Sequence, residues 1–384
     1  MNFAKLWSSL TLKKAAPPAA AVLALIAVGL IPSFNPGPQP AYLTIVSVTI
    51  VFYIVMSVSW SIFSGPTGYV SLASAAFYGV GIYMSVMFGS ILPLPMLMLL
   101  GGVASFVLAA LIGAITLRLR GVYFTIFTFG LVQLLISLVL WYEVKINNVV
   151  VRTVVSSGYN TVFYCLFILM ILVILAAFFI KRSRFGMALT SIGECEDAAA
   201  HVGVNTTFVK VIAFAVTAFA MGAAGAARAT TMISIKPEIA FNVLESFLPV
   251  LMVIFGGARS ILGPIVGAVV FSVLKEQLIT KWPKWYMIIF GTVMVLAILL
   301  LPNGIIGAVR EMPGIVKKLH LLLLTLIFAV IGYVFSLILA ASGVMISGLV
   351  VSLLFGIVGF IISVHLLKYL MNKGRKGAKN NADT

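Results

Sequence analysis

The chain has 384 residues, 62% of them apolar and only 9% charged, with a mean hydropathy of +1.20. Soluble domains are roughly half apolar and about a quarter charged, so this balance excludes an ordinary soluble fold, a disordered chain and a nucleic-acid-binding domain. The net charge of +16 comes from 25 basic against 9 acidic residues. These basic groups lie between apolar runs, which is the pattern that orients membrane helices.

Because a bilayer core about 30 Å thick takes roughly 20 apolar residues per helix, the sequence predicts spans near residues 17–34, 42–63, 68–89, 95–117, 121–141, 160–181, 207–228, 260–279, 285–301, 319–341 and 344–367. Lys13-Lys14 ahead of the first run has a signal-like look, but no clear cleavage site follows, so the run is read as a first span. The stretch from Leu244 to Phe255 is too short to cross alone; with Pro249 inside it and Gly256-Gly257 after it, it reads as a half-helix. The expected fold is all-α: a polytopic transmembrane bundle of about eight to ten core helices, half-helices included, plus two C-terminal helices. Residues 1–40 form an N-terminal segment and first span, 41–310 a core with an inside loop at 182–206, and 311–384 an extension with a basic tail. Alternating the segments from a cytoplasmic N-terminus places 18 Lys and Arg inside and 6 outside, with Arg228 near a helix end. Both termini are then expected in the cytoplasm.

No phosphate-cradling G-x-x-x-x-G-K-[ST] run is present, nor a nucleophile-base order, a zinc helix or a paired-carboxylate site. Cys165 and Cys195 have no pairing framework. Uphill transport would therefore use either an ion gradient, which leaves acids at mid-membrane, or a partner that hydrolyses ATP. Of the nine acids only Glu245 begins an apolar segment, thin equipment for an ion relay. A partner that hydrolyses ATP would dock on the inside, where the loop Arg184 to Val204 holds Glu194, Glu196 and Asp197, then Ala198, Ala199 and Ala200, then Gly203. Alanines favour helix and let another backbone approach, acids suit the positive helix start, and glycine supplies a left-handed stop. The loop is either such a docking helix or a solvated connector.

Asp197-Ala198-Ala199 followed by Gly203 resembles the coupling loop of ABC importer membrane subunits. The core as a whole is similar to the LivM-type permease family of branched-chain amino acid ABC importers. The likeness is carried by the runs Gly68 to Gly79, Leu117 to Phe124, Ser183 to Gly203 and Gly256 to Ala268, with Leu301 to Gly307 as a closing motif, and it covers about residues 40 to 307. It implies a permease in a prokaryotic inner membrane, with no cofactor of its own and no catalytic residues. Its implied partners are a sister permease, two cytoplasmic subunits that bind ATP and magnesium, an external solute-binding protein, a small-molecule solute and membrane lipid, with no nucleic acid. Glu194, Glu196, Asp197, Ala198, Ala199 and Gly203 would form the coupling element, and bulk at Ala199 is expected to uncouple hydrolysis from transport. Urea or a sugar is an alternative solute, and an ion-coupled secondary transporter a competing class.

Four further residues are candidates for the solute pathway. Arg228 would meet a substrate carboxylate near the external mouth and Glu245 lie close to it, or the two would form a structural pair. Tyr123 and Phe124 would line a route for apolar side chains, or simply pack the core. Gly79, Gly81, Gly256, Gly257, Gly263 and Gly267 remove bulk where helices meet. The segment Tyr142 to Tyr159, glycine-rich in many relatives, is not so here, which leaves the solute open.

Overall fold

The structure, a computed structural model, describes residues 42–149, 151–258, 260–288, 290–292 and 295. The expected first span at 17–34 and the two C-terminal segments at 319–341 and 344–367 lie outside the described residues. Among the described residues, eleven helices and one two-stranded ribbon follow one another: α1 (Tyr42–Thr67), α2 (Ser74–Phe88), α3 (Leu94–Thr116), α4 (Val122–Lys145), β1 (Arg152–Thr153), α5 (Tyr159–Arg182), α6 (Arg184–Glu194), α7 (Glu196–His201), α8 (Thr206–Ala229), β2 (Ser234–Ile235), α9 (Pro237–Ala240), α10 (Leu244–Gly256) and α11 (Leu262–Lys281). Among the described residues, seven segments are long and apolar enough to cross a membrane, and the protein is a multi-pass membrane protein with an all-α bundle. The residues divide into two compact units, one ending at Phe247 and one beginning at Leu248.

In the first unit α1 is the central helix, buried almost without interruption from Thr44 to Phe63. By contrast α3, α4 and α5 turn Leu111, Ile115, Ile126, Leu134 and Ile168 outward, each more than half exposed. In water such surface would be costly; in a bilayer it faces acyl chains or a neighbouring subunit. Lipid supplies no hydrophobic drive for helix association, so close packing has to do it. Accordingly α2, α3 and α8 meet through Gly81, Gly101, Ser105 and Gly222, where a Cβ on Gly81 would strike the Gly222 carbonyl oxygen and one on Gly222 the Ser105 hydroxyl. Backbone cannot yield as a flexible side chain would. Gly81→Ala is expected to cost about 1–3 kcal/mol, read as a lower melting temperature in detergent. Gly130→Ala in α4 meets no atom within 4 Å and should leave melting unchanged. In the second unit the same device joins α10 to α11, where a Cβ on Gly256 would strike the Gly263 carbonyl and one on Gly267 that of Met252.

Three sequence expectations are refined. The segment read as one span over 68–89 is helical only from Ser74; residues 68–73 are not helical, although Tyr69, Ser71, Leu72 and Ala73 are buried. Helix Leu244–Gly256 is present as read, preceded by the single turn of α9, with 241–243 interrupting the two. The 182–206 loop holds two helices, so Glu194 sits in the last turn of α6, and only Glu196 and Asp197 occupy the favourable first turn of α7.

Candidate functional site: a tethered terminal helix and a broken segment

Local chemistry sets the two short helices. Ser183 caps α6, its hydroxyl accepting from the Gly186 amide at 3.2 Å. Gly193 lets α6 lie against the last turn of α1, where a Cβ would strike the Pro66 carbonyl. Cys195, in extended backbone, separates α6 from α7. The stop of α7 is a left-handed cap: Gly203 has φ +93°, its amide reaches the Ala200 carbonyl at 3.0 Å, and the Val204 amide reaches that of Ala199 at 3.1 Å. Asn205 then caps α8 by accepting from the Phe208 amide at 3.1 Å.

The two acids of α7 tie it to the bundle. Glu196 accepts from the Lys210 ammonium at 2.5 Å and from the Tyr69 hydroxyl at 2.5 Å. Lys210 lies in α8, almost fully buried, and also donates to the Leu117 carbonyl at 2.8 Å; its Nζ stands 4.9 Å from the Tyr69 ring centroid. A buried ammonium is tolerable only with such partners. Partial burial pushes the Glu196 carboxyl up, but the hydrogen bonds from Lys210 and Tyr69 and the charges of Lys210 and Arg120 outweigh it, and the net shift is downward. Asp197 receives two bonds from the Arg120 guanidinium, at 2.8 and 3.2 Å. That contact holds the aspartate below its ordinary range and the arginine above its own, but it is solvent-exposed and contributes little.

Outward, α7 presents Asp197, Ala198, Ala200 and His201, followed by Val202 at 85% exposure; Ala199 is turned inward and buried. Of the expected coupling positions, Ala198 is thus exposed and Ala199 buried, because in so short a helix adjacent residues point to different sides.

Tyr69, the partner of Glu196, belongs to the non-helical stretch 68–73. Gly68, at φ +72°, turns the chain out of α1. Buried backbone without helical bonds needs other partners, and side chains supply them. Thr125 of α4 donates to the Val70 carbonyl at 2.8 Å, the Leu72 amide donates to the Thr128 hydroxyl at 3.0 Å, and the Trp60 indole donates to the Ser71 carbonyl at 2.8 Å. The Ala75 amide, at the start of α2, donates to the Ser246 hydroxyl of α10 at 3.0 Å. The short helix α7 is thus joined through Tyr69 to a non-helical segment that α1 and α4 hold in place.

Of the pathway candidates, Phe124 is fully buried in an aromatic cluster with Phe63, Tyr69 and Phe214, and Tyr123 is 74% exposed on the outer surface of α4. Neither neighbours the other two. Arg228, in the last turn of α8, has its guanidinium carbon 5.8 Å from the Phe52 ring centroid. Glu245, in the first turn of α10, accepts from the Tyr53 hydroxyl at 3.0 and 3.1 Å. Phe52, Tyr53 and Tyr78 form one buried group. Arg228 and Glu245 therefore share a neighbourhood beside the middle of α1: Tyr53 lies 11 residues from one end of α1 and 14 from the other, about 16 and 21 Å along the axis. At the β1–β2 end, Arg152 and buried Glu143 form a two-pronged pair, at 3.0 Å for both Nε and Nη2. Among the described residues, no three His, Cys, Asp or Glu side chains come together to hold a metal.

The roles of Tyr69, Lys210, Thr125, Thr128, Trp60 and Ser246 escape sequence reasoning. The available signals were Gly65-Pro66-x-Gly68, which breaks a helix at that point, and a lone lysine inside an apolar helix downstream of three acids.

Residues 42–298 match the sequence profile of the branched-chain amino acid transport system permease component. The LivM high-affinity branched-chain amino acid transport system permease protein of Salmonella typhimurium is 26% identical over 304 residues, 67% of this chain and 68% of the relative. The LivM protein of Escherichia coli is 26% identical over 302 residues, with the same coverage. The fructose import permease protein FrcC of Rhizobium meliloti is 27% identical over 146 residues, 36% of this chain and 41% of the relative. No solved structure matches the chain significantly. With a profile covering most of its spans, the chain belongs to the branched-chain amino acid transport system permease family.

Proposed function

We propose that the chain is the membrane-spanning subunit of an ATP-driven importer for branched-chain or other small hydrophobic amino acids in a prokaryotic inner membrane, with both termini cytoplasmic. The observation that carries this reading is the Glu196–Tyr69 bond. It links a helix at the bundle's end, where a motor could press, to an unwound segment within the bundle, where a pathway could open. The outward residues of α7 dock on one of two cytoplasmic ATP-binding subunits, and ATP with magnesium is bound there, not on this chain. A sister permease covers part of the apolar surface of α3 to α5, and an external binding protein delivers the solute. The FrcC match makes a sugar the specific competitor.

Co-expression with the neighbouring genes and co-purification should recover ATPase, sister and binding protein together. Leucine, isoleucine or valine should raise the melting temperature of that binding protein, whereas a shift with fructose alone would replace the amino-acid reading. Orientation has its own test, because Cys195 is exposed and Cys165 half-buried within α5. A membrane-impermeant maleimide should label Cys195 in inverted vesicles and not in intact spheroplasts. The reverse pattern would place α7 outside and remove the docking assignment.

A further inference from the structure

We propose that Arg228 and Glu245, set over the Phe52–Tyr53–Tyr78 group, form a binding site for the charged head of an α-amino acid in transit, the guanidinium taking the carboxylate and the glutamate taking the ammonium. This rests on the amino-acid reading above and adds to it the residues that recognise the solute. Ionisable groups within membrane-spanning segments are costly and are kept where they face a pathway or each other. Here a cation and an anion, each only half-buried, stand over aromatic rings that are almost fully buried. The charges of both act on the Tyr53 and Tyr78 hydroxyls, so the four groups share one electrostatic environment. An α-amino acid presents a carboxylate and an ammonium on one carbon, the same pair of charges in mirror sense. The Phe52 and Tyr78 rings, packed against one another, form an apolar floor beneath the two charges. Tyr53 acts as a positioning residue: its hydroxyl spans both Glu245 oxygens and fixes the carboxylate's direction.

The supporting backbone is that of a membrane substrate site. Arg228 lies in the last turn of α8, and Glu245 in the first turn of α10 just after the interruption at 241–243; the ends of interrupted helices build substrate sites in membrane transporters. The site is also joined to the linkage between Tyr69 and α7. Ser246, next to Glu245, holds the Ala75 amide, and α2 follows directly on the 68–73 stretch that Tyr69 ties to α7.

The test is equilibrium binding to the assembled importer in nanodiscs, without the binding protein, using leucine, isoamylamine (no carboxylate) and 4-methylpentanoate (no amine). Wild type is expected to bind leucine at least about ten-fold more tightly than either analogue. Arg228→Gln should weaken leucine and 4-methylpentanoate at least about ten-fold and leave isoamylamine within about two-fold. Glu245→Gln should weaken leucine and isoamylamine and spare 4-methylpentanoate, and Arg228→Lys should restore most of the leucine affinity. Parallel loss of all three probes in either variant, which a structural ion pair or misfolding would produce, overturns the site, as does unchanged binding. ATP-driven uptake through the binding protein is measured alongside in wild type. Leucine uptake with no ligand-specific split discards the site and leaves the proposed function standing; uptake of fructose but not leucine discards both.

Discussion

Replacing Glu196 with alanine is expected to cost about 3 kcal/mol and to abolish transport, because it leaves the Lys210 ammonium, 2% exposed, without an anionic partner among the described residues, held by the Leu117 carbonyl and the Tyr69 ring. The drop is read as a lowered melting temperature of the purified importer. The double variant Glu196→Gln with Lys210→Met removes both charges and should recover stability to within about 1 kcal/mol of wild type, since an apolar replacement of a buried pair is commonly neutral. Tyr69→Phe separates stability from coupling. It deletes one hydroxyl that bridges α7 to the unwound stretch, at a cost of about 1 kcal/mol, yet the ATP hydrolysed per solute imported should rise several-fold. Unchanged stoichiometry in Tyr69→Phe would show that force does not pass through this contact. The pH dependence has a definite sign. Because the Glu196 carboxyl is held below its ordinary value, its contribution is present above that value and is lost as pH falls through the lower folded-state value. The gap in melting temperature between wild type and Glu196→Gln should therefore persist from about pH 8 to about pH 5 and close in stronger acid.

Ala198→Trp is expected to leave the permease folded and inserted while cutting transport at least about ten-fold at near-normal ATP hydrolysis. Ala198 is exposed on α7, so an indole there meets the docked partner rather than the bundle, and interface cores tolerate such bulk poorly. Ala199→Trp should behave differently: Ala199 is buried, and overpacking its seat costs about 1–3 kcal/mol, so folded protein is lost before coupling can be assayed. Uptake and hydrolysis measured in the same proteoliposomes decide the matter. Normal uptake by Ala198→Trp would remove α7 as the docking element.

Most of the bundle was legible because a membrane span is a length and hydropathy statement. Helices α3, α5 and α8 fall within two residues of their expected bounds, and α10 falls where Pro249 and Gly256-Gly257 place a half-helix. The break at 68–73 was not legible, because its buried backbone is satisfied by Thr125, Thr128 and Trp60 from distant sequence, and hydropathy alone reads Val70, Leu72 and Ala73 as more helix. The short helix α7 and its glycine stop could be read from Ala198 to Gly203, whereas the inward turn of Ala199 and the Lys210–Glu196–Tyr69 linkage depend on how α7 lies on its neighbours. Arg228 and Glu245 were legible as a pair, since both interrupt apolar sequence. Their place beside Phe52 and Tyr53 was not, because it depends on how α8 and the start of α10 lie against α1.

The measurement that bears most directly on the central claim is concentrative uptake in proteoliposomes containing this chain and its sister permease, with and without the ATP-binding subunits, under imposed proton and sodium gradients. Accumulation should appear only when those subunits and ATP are present, and should disappear when their hydrolysis is blocked. Accumulation by the membrane subunits alone, driven by either ion gradient, would contradict a bundle worked through α7.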